Sequence, residues 1–191
     1  MKVIQLYKKE SELIKRALKS NREAQHVLFE MYAPKMLSVC RYYIKDLQQA
    51  EEAMLNGFFK VFTQLKTFRS EGSFEGWIRR IMVRESISYL RSQHSFEQLE
   101  EDVSDVVEAE NLETNLIESE LNVAHIQQLI DQLPEGYRAV FMMYAIEGYK
   151  HYEIAELLNI TEGTSKSQLF KARKLLQQQV VKLKSTENGT N

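Results

Sequence analysis

Between residues 92 and 137 the chain carries twelve acidic residues and not one lysine or arginine. Such a stretch repels itself. Its first part, SQHSFEQLEEDVSDVVEAENLETNLIESE (92–120), also holds too few apolar residues to bury a core. It reads as a linker, so the fold must be built by what lies on either side. Residues 1–91 carry a net charge of +7 and residues 138–191 a net +3. The overall −2 therefore conceals two basic ends around an acidic middle, and basic ends suit polyanions.

Both ends read as helical. The 191 residues include only 7 Gly and 2 Pro, while Leu, Glu, Lys, Gln and Ala, which lose little rotamer freedom in a helix, are abundant. Pro34, the Gly/Ser-bearing loop FRSEGSFEG (68–76), the acidic stretch and Pro134 in LPEG cut the chain into segments. Within 47–66, Met54, Phe58, Val61, Phe62 and Leu65 recur on one helical face; Ile78, Ile81, Met82 and Tyr89 do the same within 77–91. These, with Phe59 and Trp77, are expected in a core. From about residue 118 to 183 the pattern predicts four helices. The expected fold is all-α, with two small helical domains, 1–91 and 121–183, joined by the acidic linker 92–120 and followed by a disordered tail, 184–191. A single Cys40 excludes an internal disulfide and fits a core thiol in a reducing cytosol. The N-terminal MKVIQLYKKESELIKR meets charge too early for a secretory signal, and no apolar run spans a bilayer, so a cytoplasmic location is expected.

HYEIAELLNITEGTSKSQLFKARKLLQ (151–177) has the spacing of a helix-turn-helix. Ile154, Ala155 and Leu158 face inward on the first helix. Asn159 tolerates the left-handed conformation that the turn needs, and Ile160 plugs it. Thr161 caps the second helix through its hydroxyl, and Glu162 favours the positive end of the helix dipole. Leu169, Ala172 and Leu176 continue the inward face. Thr164, Lys166, Gln168 and Lys171 are then expected outside, with Arg173 further round. Lysine and arginine neutralise phosphates, and glutamine can pair with an adenine edge. A helical hairpin with a solvated basic face is the other reading; DNA binding accounts for more of the pattern.

A second basic stripe lies in the first half. Arg80, Arg84 and Arg91 fall within roughly 40° of one another on one helix face, with Ser88 nearby. The loop just before it supplies Phe68, Arg69, Ser73 and Phe74. Cations beside aromatics suit single-stranded nucleic acid, where phosphates pair with arginine and bases stack on rings. A solvated helix surface is the alternative.

Taken together, the blocks LFEMYAPKMLSVCRYYIKDLQQAEEAMLNGFFKVFTQL, FRSEGSFEGWIRRIMVRESISYLR and QLIDQLPEGYRAVFMMYAIEGYKHYEIAELLNITEGTSKSQLFKARKLL resemble an extracytoplasmic-function (group 4) RNA polymerase sigma factor of the sigma-70 family. The resemblance covers about residues 20–183. It implies a region 2 helical bundle that binds the polymerase clamp and opens the −10 element. It also implies a region 4 helix-turn-helix that reads the −35 element, and a linker in place of a region 3 domain. That linker would act either as an RNA mimic in the polymerase channel or as a solvated tether. Core-polymerase contacts are implied for Asp46, Gln49, Glu52, Leu55 and Asn56. Contacts to the −10 element are implied for Phe68, Arg69, Ser73, Phe74, Arg80, Arg84, Ser88 and Arg91. Contacts to the −35 element are implied for Thr164, Ser165, Lys166, Gln168, Lys171 and Arg173. The chain departs from the family pattern at several of these. Glu52, Leu55 and Asn56 stand at Asp, Gln and Glu positions, Arg84 at an Asn and Ser88 at an Asp. Ser165, Gln168 and Lys171 replace Val, Arg and Arg.

The implied function is promoter recognition, strand opening and transcription initiation with core RNA polymerase and promoter DNA as partners, and an anti-sigma factor as regulator. A stand-alone helix-turn-helix regulator is the alternative. His26, His94, His125 and His151 show no paired metal-ligand spacing, and no phosphate loop or nucleophile motif occurs. No enzymatic activity, metal or other cofactor is expected.

Overall fold

The computed structural model describes residues 2–93 and 123–187; most of the proposed linker, and residues 188–191 of the tail, lie outside the described residues. The chain divides between residues 90 and 91 into two compact units. Among the described residues every regular element is helical, and no helix is long and apolar enough to cross a membrane.

The first unit contains α1 (Lys2–Leu18), α2 (Arg22–Tyr43), α3 (Leu47–Thr63) and α4, which begins at Phe74 and runs to Gln93. Local chemistry sets the starts. The Asn21 side chain accepts from the Ala24 N–H at 2.8 Å, and Asp46 accepts from the Gln49 N–H at 2.9 Å, so each satisfies a donor that a helix N-terminus leaves free. Ser73 does the same for α4, accepting from the Gly76 N–H at 3.0 Å. Pro34 does not cut the chain as expected but lies inside α2. A proline there removes one helical hydrogen bond and usually costs about 3 kcal/mol. Pro34 and Glu30, whose carbonyl loses its donor, are both on the exposed side, where water can serve that carbonyl. The opposite side is held by Tyr32, Met36, Val39, Cys40 and Tyr43, all buried.

Helix α3 packs on α2, and α2 on α1. Phe58 from α3 meets Phe29 edge-on at 4.8 Å. Helix α4 is joined to the others by Lys35–Glu75 at 3.0 Å and Lys60–Glu85 at 2.5 Å. Gly57 of α3 marks the closest approach, because a Cβ there would collide with the buried Met82 side chain of α4. The expected core residues Met54, Phe58, Val61, Leu65, Ile78 and Met82 are buried, but Leu65 sits in a 3₁₀ turn, Leu65–Thr67, after α3 has ended. Phe59 corrects the expectation outright: one position on from Phe58, it points away from the core and is 70% exposed.

Cys40 is fully buried, as a core thiol should be. Burial pushes its pKa up to about 11, Glu85 adds to that, and the Ser86 hydroxyl beside it pulls the other way. The thiolate is the nucleophile. Native protein at pH 8 is therefore expected to resist iodoacetamide while denatured protein labels rapidly; equal rates would contradict this burial. The folded chain also keeps that proton at a pH where the unfolded chain has lost it. This contribution to stability is present below about pH 8.5 and is lost as pH rises toward 11.

The second unit has four described helices: α5 (Val123–Gln132), α6 (Glu135–Phe141), α7 (His151–Leu158) and α8 (Glu162–Glu187). Pro134 separates α5 from α6. Helix α6 leads into a π-helical turn, Met142–Ile146, and Gly148 at φ 76° reverses the chain in a conformation that suits glycine. Helix α8 packs against α5, α6 and α7. It continues to Glu187, so residues 184–187 of the expected tail are helical.

Candidate nucleic-acid interface

In the first unit, a cavity of about 380 Å³ opens at the turn before α4. It is lined by Thr67, Phe68, Arg69, Glu71, Gly72, Ser73, Gly76, Trp77 and Arg80. The two glycines leave room, while Phe68 and Trp77, 5.5 Å apart, give it an aromatic wall. Sequence reasoning anticipated Phe68, Arg69, Ser73 and Arg80 here; it missed Glu71 and the glycines, and assigned Trp77 to the core. Phe74 is the reverse case. Capping by Ser73 makes Phe74 the first helical residue. Its ring turns inward against Tyr32 at 5.7 Å and Phe68 at 5.1 Å and is buried. It supports the wall without lining the cavity. From the cavity rim, Arg80, Arg84, Ser88 and Arg91 run along α4, all exposed. The spacing of i, i+4, i+8 and i+11 keeps them on one side of the helix.

On α3, Gln49, Glu52, Leu55 and Asn56 are exposed, and so is the capping Asp46. Phe59 extends this face beyond Leu55. It borders a groove of about 600 Å³ lined also by Ala17, Leu18, Phe62 and Leu65.

In the second unit the turn between α7 and α8 forms as its residues dictate. Asn159 is left-handed at φ 56° and ψ 49°, and the Thr161 hydroxyl accepts from the Thr164 N–H at 3.0 Å. Ile154, Ala155 and Leu158 of α7 and Leu169 and Ala172 of α8 are buried. The expected orientation of α8 needs correction. Thr164 is buried, with its hydroxyl 2.9 Å from that of Thr161. Ser165 is fully buried and Gln168 only 2% exposed. Lys171 is half-buried at the edge of the packed side. The reason is packing: α8 meets three other helices, so its buried arc is far wider than the stripe of Leu169, Ala172 and Leu176. The side around exposed Lys166 instead carries the half-buried Phe170, Arg173 and Gln177, all four within roughly 60° of one another, with exposed Lys174 beside them.

Three elements meet under this face. The Tyr144 ring of the π-helical turn stacks on His151 of α7 at 4.7 Å and 24°. The His151 Nδ1 lies 2.9 Å from the Ser165 hydroxyl of α8, and the Arg173 guanidinium sits 5.7 Å from the Tyr144 ring. Desolvation by burial lowers the His151 pKa; Lys166 and Arg173 lower it further, and Glu162 opposes them.

The family model described as Sigma-70 region 2 matches residues 28–96, and that described as Sigma-70, region 4 matches residues 124–176. The chain belongs to the sigma-70 family of RNA polymerase sigma factors. It is similar to the RNA polymerase sigma-H factor of Pseudomonas aeruginosa, 25% identical over 177 residues covering 87% of this chain and 91% of that protein. It is also similar to the ECF RNA polymerase sigma-E factor of Escherichia coli, 28% identical over 179 residues covering 88% and 92% of the two. Among solved structures it resembles the sigma factor RpoE in complex with the anti-sigma factor NepR from Bartonella quintana, at a TM-score of 0.48 and 18% identity, over 80% of this chain and 94% of that one. As a sigma factor the chain binds core RNA polymerase and directs it to promoters. A stand-alone helix-turn-helix regulator gives no account of the region 2 match.

Proposed function

We propose that this sigma factor grips a promoter at two points and opens it at one. The region 2 unit, residues 1–91, takes the −10 element. A base leaving the stack would enter the cavity beside Phe68 and Trp77, while Arg80, Arg84 and Arg91 hold the backbone of the displaced strand. The region 4 unit, from residue 121 to the end of α8, takes the −35 element through Lys166, Phe170, Arg173 and Lys174. The exposed side of α3, from Asp46 through Glu52, Leu55 and Asn56 to Phe59, is the surface for core polymerase. The acidic stretch 92–120 connects the two units. The catalysis is the polymerase's; this chain contributes recognition and strand opening in the cytoplasm, under an anti-sigma factor of the kind that family membership implies.

The observation that carries this reading is the continuity of the aromatic cavity with the exposed arginine stripe. That combination suits separated strands better than duplex DNA, where a ring has no unstacked base to receive. The test is transcription by core polymerase with and without this chain, on promoters selected from random DNA by the reconstituted holoenzyme. Transcription and permanganate-reactive thymines near −10 should require the chain. With Arg84→Ala, closed-complex binding should persist while opening slows by roughly tenfold, the loss of one charge-assisted phosphate contact. Transcription independent of the chain would refute the function. Unchanged opening by Arg84→Ala would refute the role of the stripe.

A further inference from the structure

In the cluster of Tyr144, His151, Ser165 and Arg173, only Arg173 is used by a contact assigned above. The cluster joins the π-helical turn, α7 and α8, and its one readily titrating member is tied to the helix that carries the DNA-facing cations. We propose that His151 is a positioning residue for α8 and makes the grip on the −35 element proton-linked, so that promoter binding takes up a proton at this ring.

Three observations lead there. First, His151 holds α8 directly. Ser165 is fully buried one residue before Lys166, so a bond to its hydroxyl fixes the rotation of the turn from which Lys166 projects. Second, the ring is held by two contacts that protonation strengthens. In the neutral ring either Nδ1 or the hydroxyl donates. In imidazolium Nδ1–H must donate to the Ser165 oxygen, a charge-assisted and stronger bond. The electron-rich Tyr144 ring on which His151 stacks also favours a cationic partner over a neutral one. Third, the charges around the ring change when DNA arrives. From α8 it is faced by Lys166, Arg173 and Glu162. Its own helix begins beside Lys150 and carries Glu153, whose carboxylate accepts from the Lys150 N–H at 2.8 Å. The π-helical turn presents Tyr144, with Glu147 just after it. In the free protein the two α8 cations disfavour a third positive charge. Phosphates paired with Lys166 and Arg173 would cancel that repulsion and add negative potential, leaving imidazolium favoured. By linkage, a group that gains proton affinity on binding makes binding tighter at lower pH.

This inference rests on α8 as the −35 surface. The experiment measures holoenzyme binding to a selected promoter duplex at constant salt between pH 6.0 and 7.5. It compares wild type with His151→Gln, which can still bond Ser165 but does not titrate, and with His151→Phe, which keeps only the stack. Wild type should tighten by roughly fivefold more than His151→Gln as pH falls across that range, for a fraction of one proton taken up. Both variants should share the flatter profile, and His151→Gln should approach wild-type affinity at pH 7.5. Parallel pH profiles for wild type and both variants would overturn the proposal while leaving the assignment of α8 intact. Promoter binding that is insensitive to Lys166→Ala at every pH would overturn that assignment, and this proposal with it.

Discussion

Charge reversal of the outer face of α8, by Lys166→Glu together with Arg173→Glu, is expected to weaken holoenzyme binding to a −35-bearing promoter by more than about a hundredfold near 150 mM salt. Two phosphate contacts are lost and two repulsive ones replace them. The dependence of log affinity on log salt should become shallower by about two units, since each neutralised phosphate contributes about 0.9. Stability should change little. Lys166 is exposed, and Arg173 gives up a contact at 5.7 Å to the Tyr144 ring, worth about 0.5–1 kcal/mol at such a partly exposed site. Titration of a labelled promoter at several salt concentrations, with a thermal melt as control, makes the measurement. Binding within about threefold of wild type and an unchanged salt slope would mean that this face does not meet phosphate.

The same helix shows how far the sequence could be followed. The turn was legible because local chemistry decides it. A left-handed residue, a hydroxyl cap and an apolar pair are needed at fixed offsets, and Asn159, Thr161, Ile154 and Leu158 supply them. The rotation of α8 was not legible from an apolar stripe alone. A helix on the outside of a domain buries one narrow face, but one packed by three neighbours buries more than half its circumference. The additional buried positions include Thr164 and Gln168, polar residues that the stripe alone assigns to the outer side. Phe170 was overlooked for the opposite reason: an aromatic residue suggests core, although its spacing from Lys166 and Arg173 already put it on their side.

In the first unit, the arginine stripe was readable because α4 is regular and its arginines repeat with the helix. The aromatic cavity was only half readable. Phe68, Phe74 and Trp77 are equivalent as apolar residues; which ring turns inward depends on where Ser73 starts the helix and on Tyr32, more than forty positions away from Phe74. The exposure of Phe59 was within reach of the sequence. It follows Phe58 directly, and two adjacent helical residues lie about 100° apart, so both cannot sit at the centre of one buried face.

Replacing Gln168 with methionine is expected to stabilise the region 4 unit by roughly 1–3 kcal/mol while leaving promoter preference unchanged. Both polar atoms of the Gln168 side chain, Oε1 and Nε2, are buried without a hydrogen-bond partner among the described residues. A base-reading glutamine would instead have to reach solvent, and Gln168 is 2% exposed on the packed side of α8. Methionine has nearly the same length and volume and no polar group to desolvate, so it fills the site without opening a cavity or forcing the neighbours apart. Slower hydrogen exchange of amides in α6 and α8, a higher melting temperature, and an unaltered −35 sequence selected by the variant holoenzyme are the expected results. If Gln168→Met changes the selected bases, the side chain must leave its buried position on DNA binding, and the readout would belong to Gln168 after all. If the variant is destabilised instead, the amide has a partner in solution whose hydrogen bonds outweigh the cost of burying it.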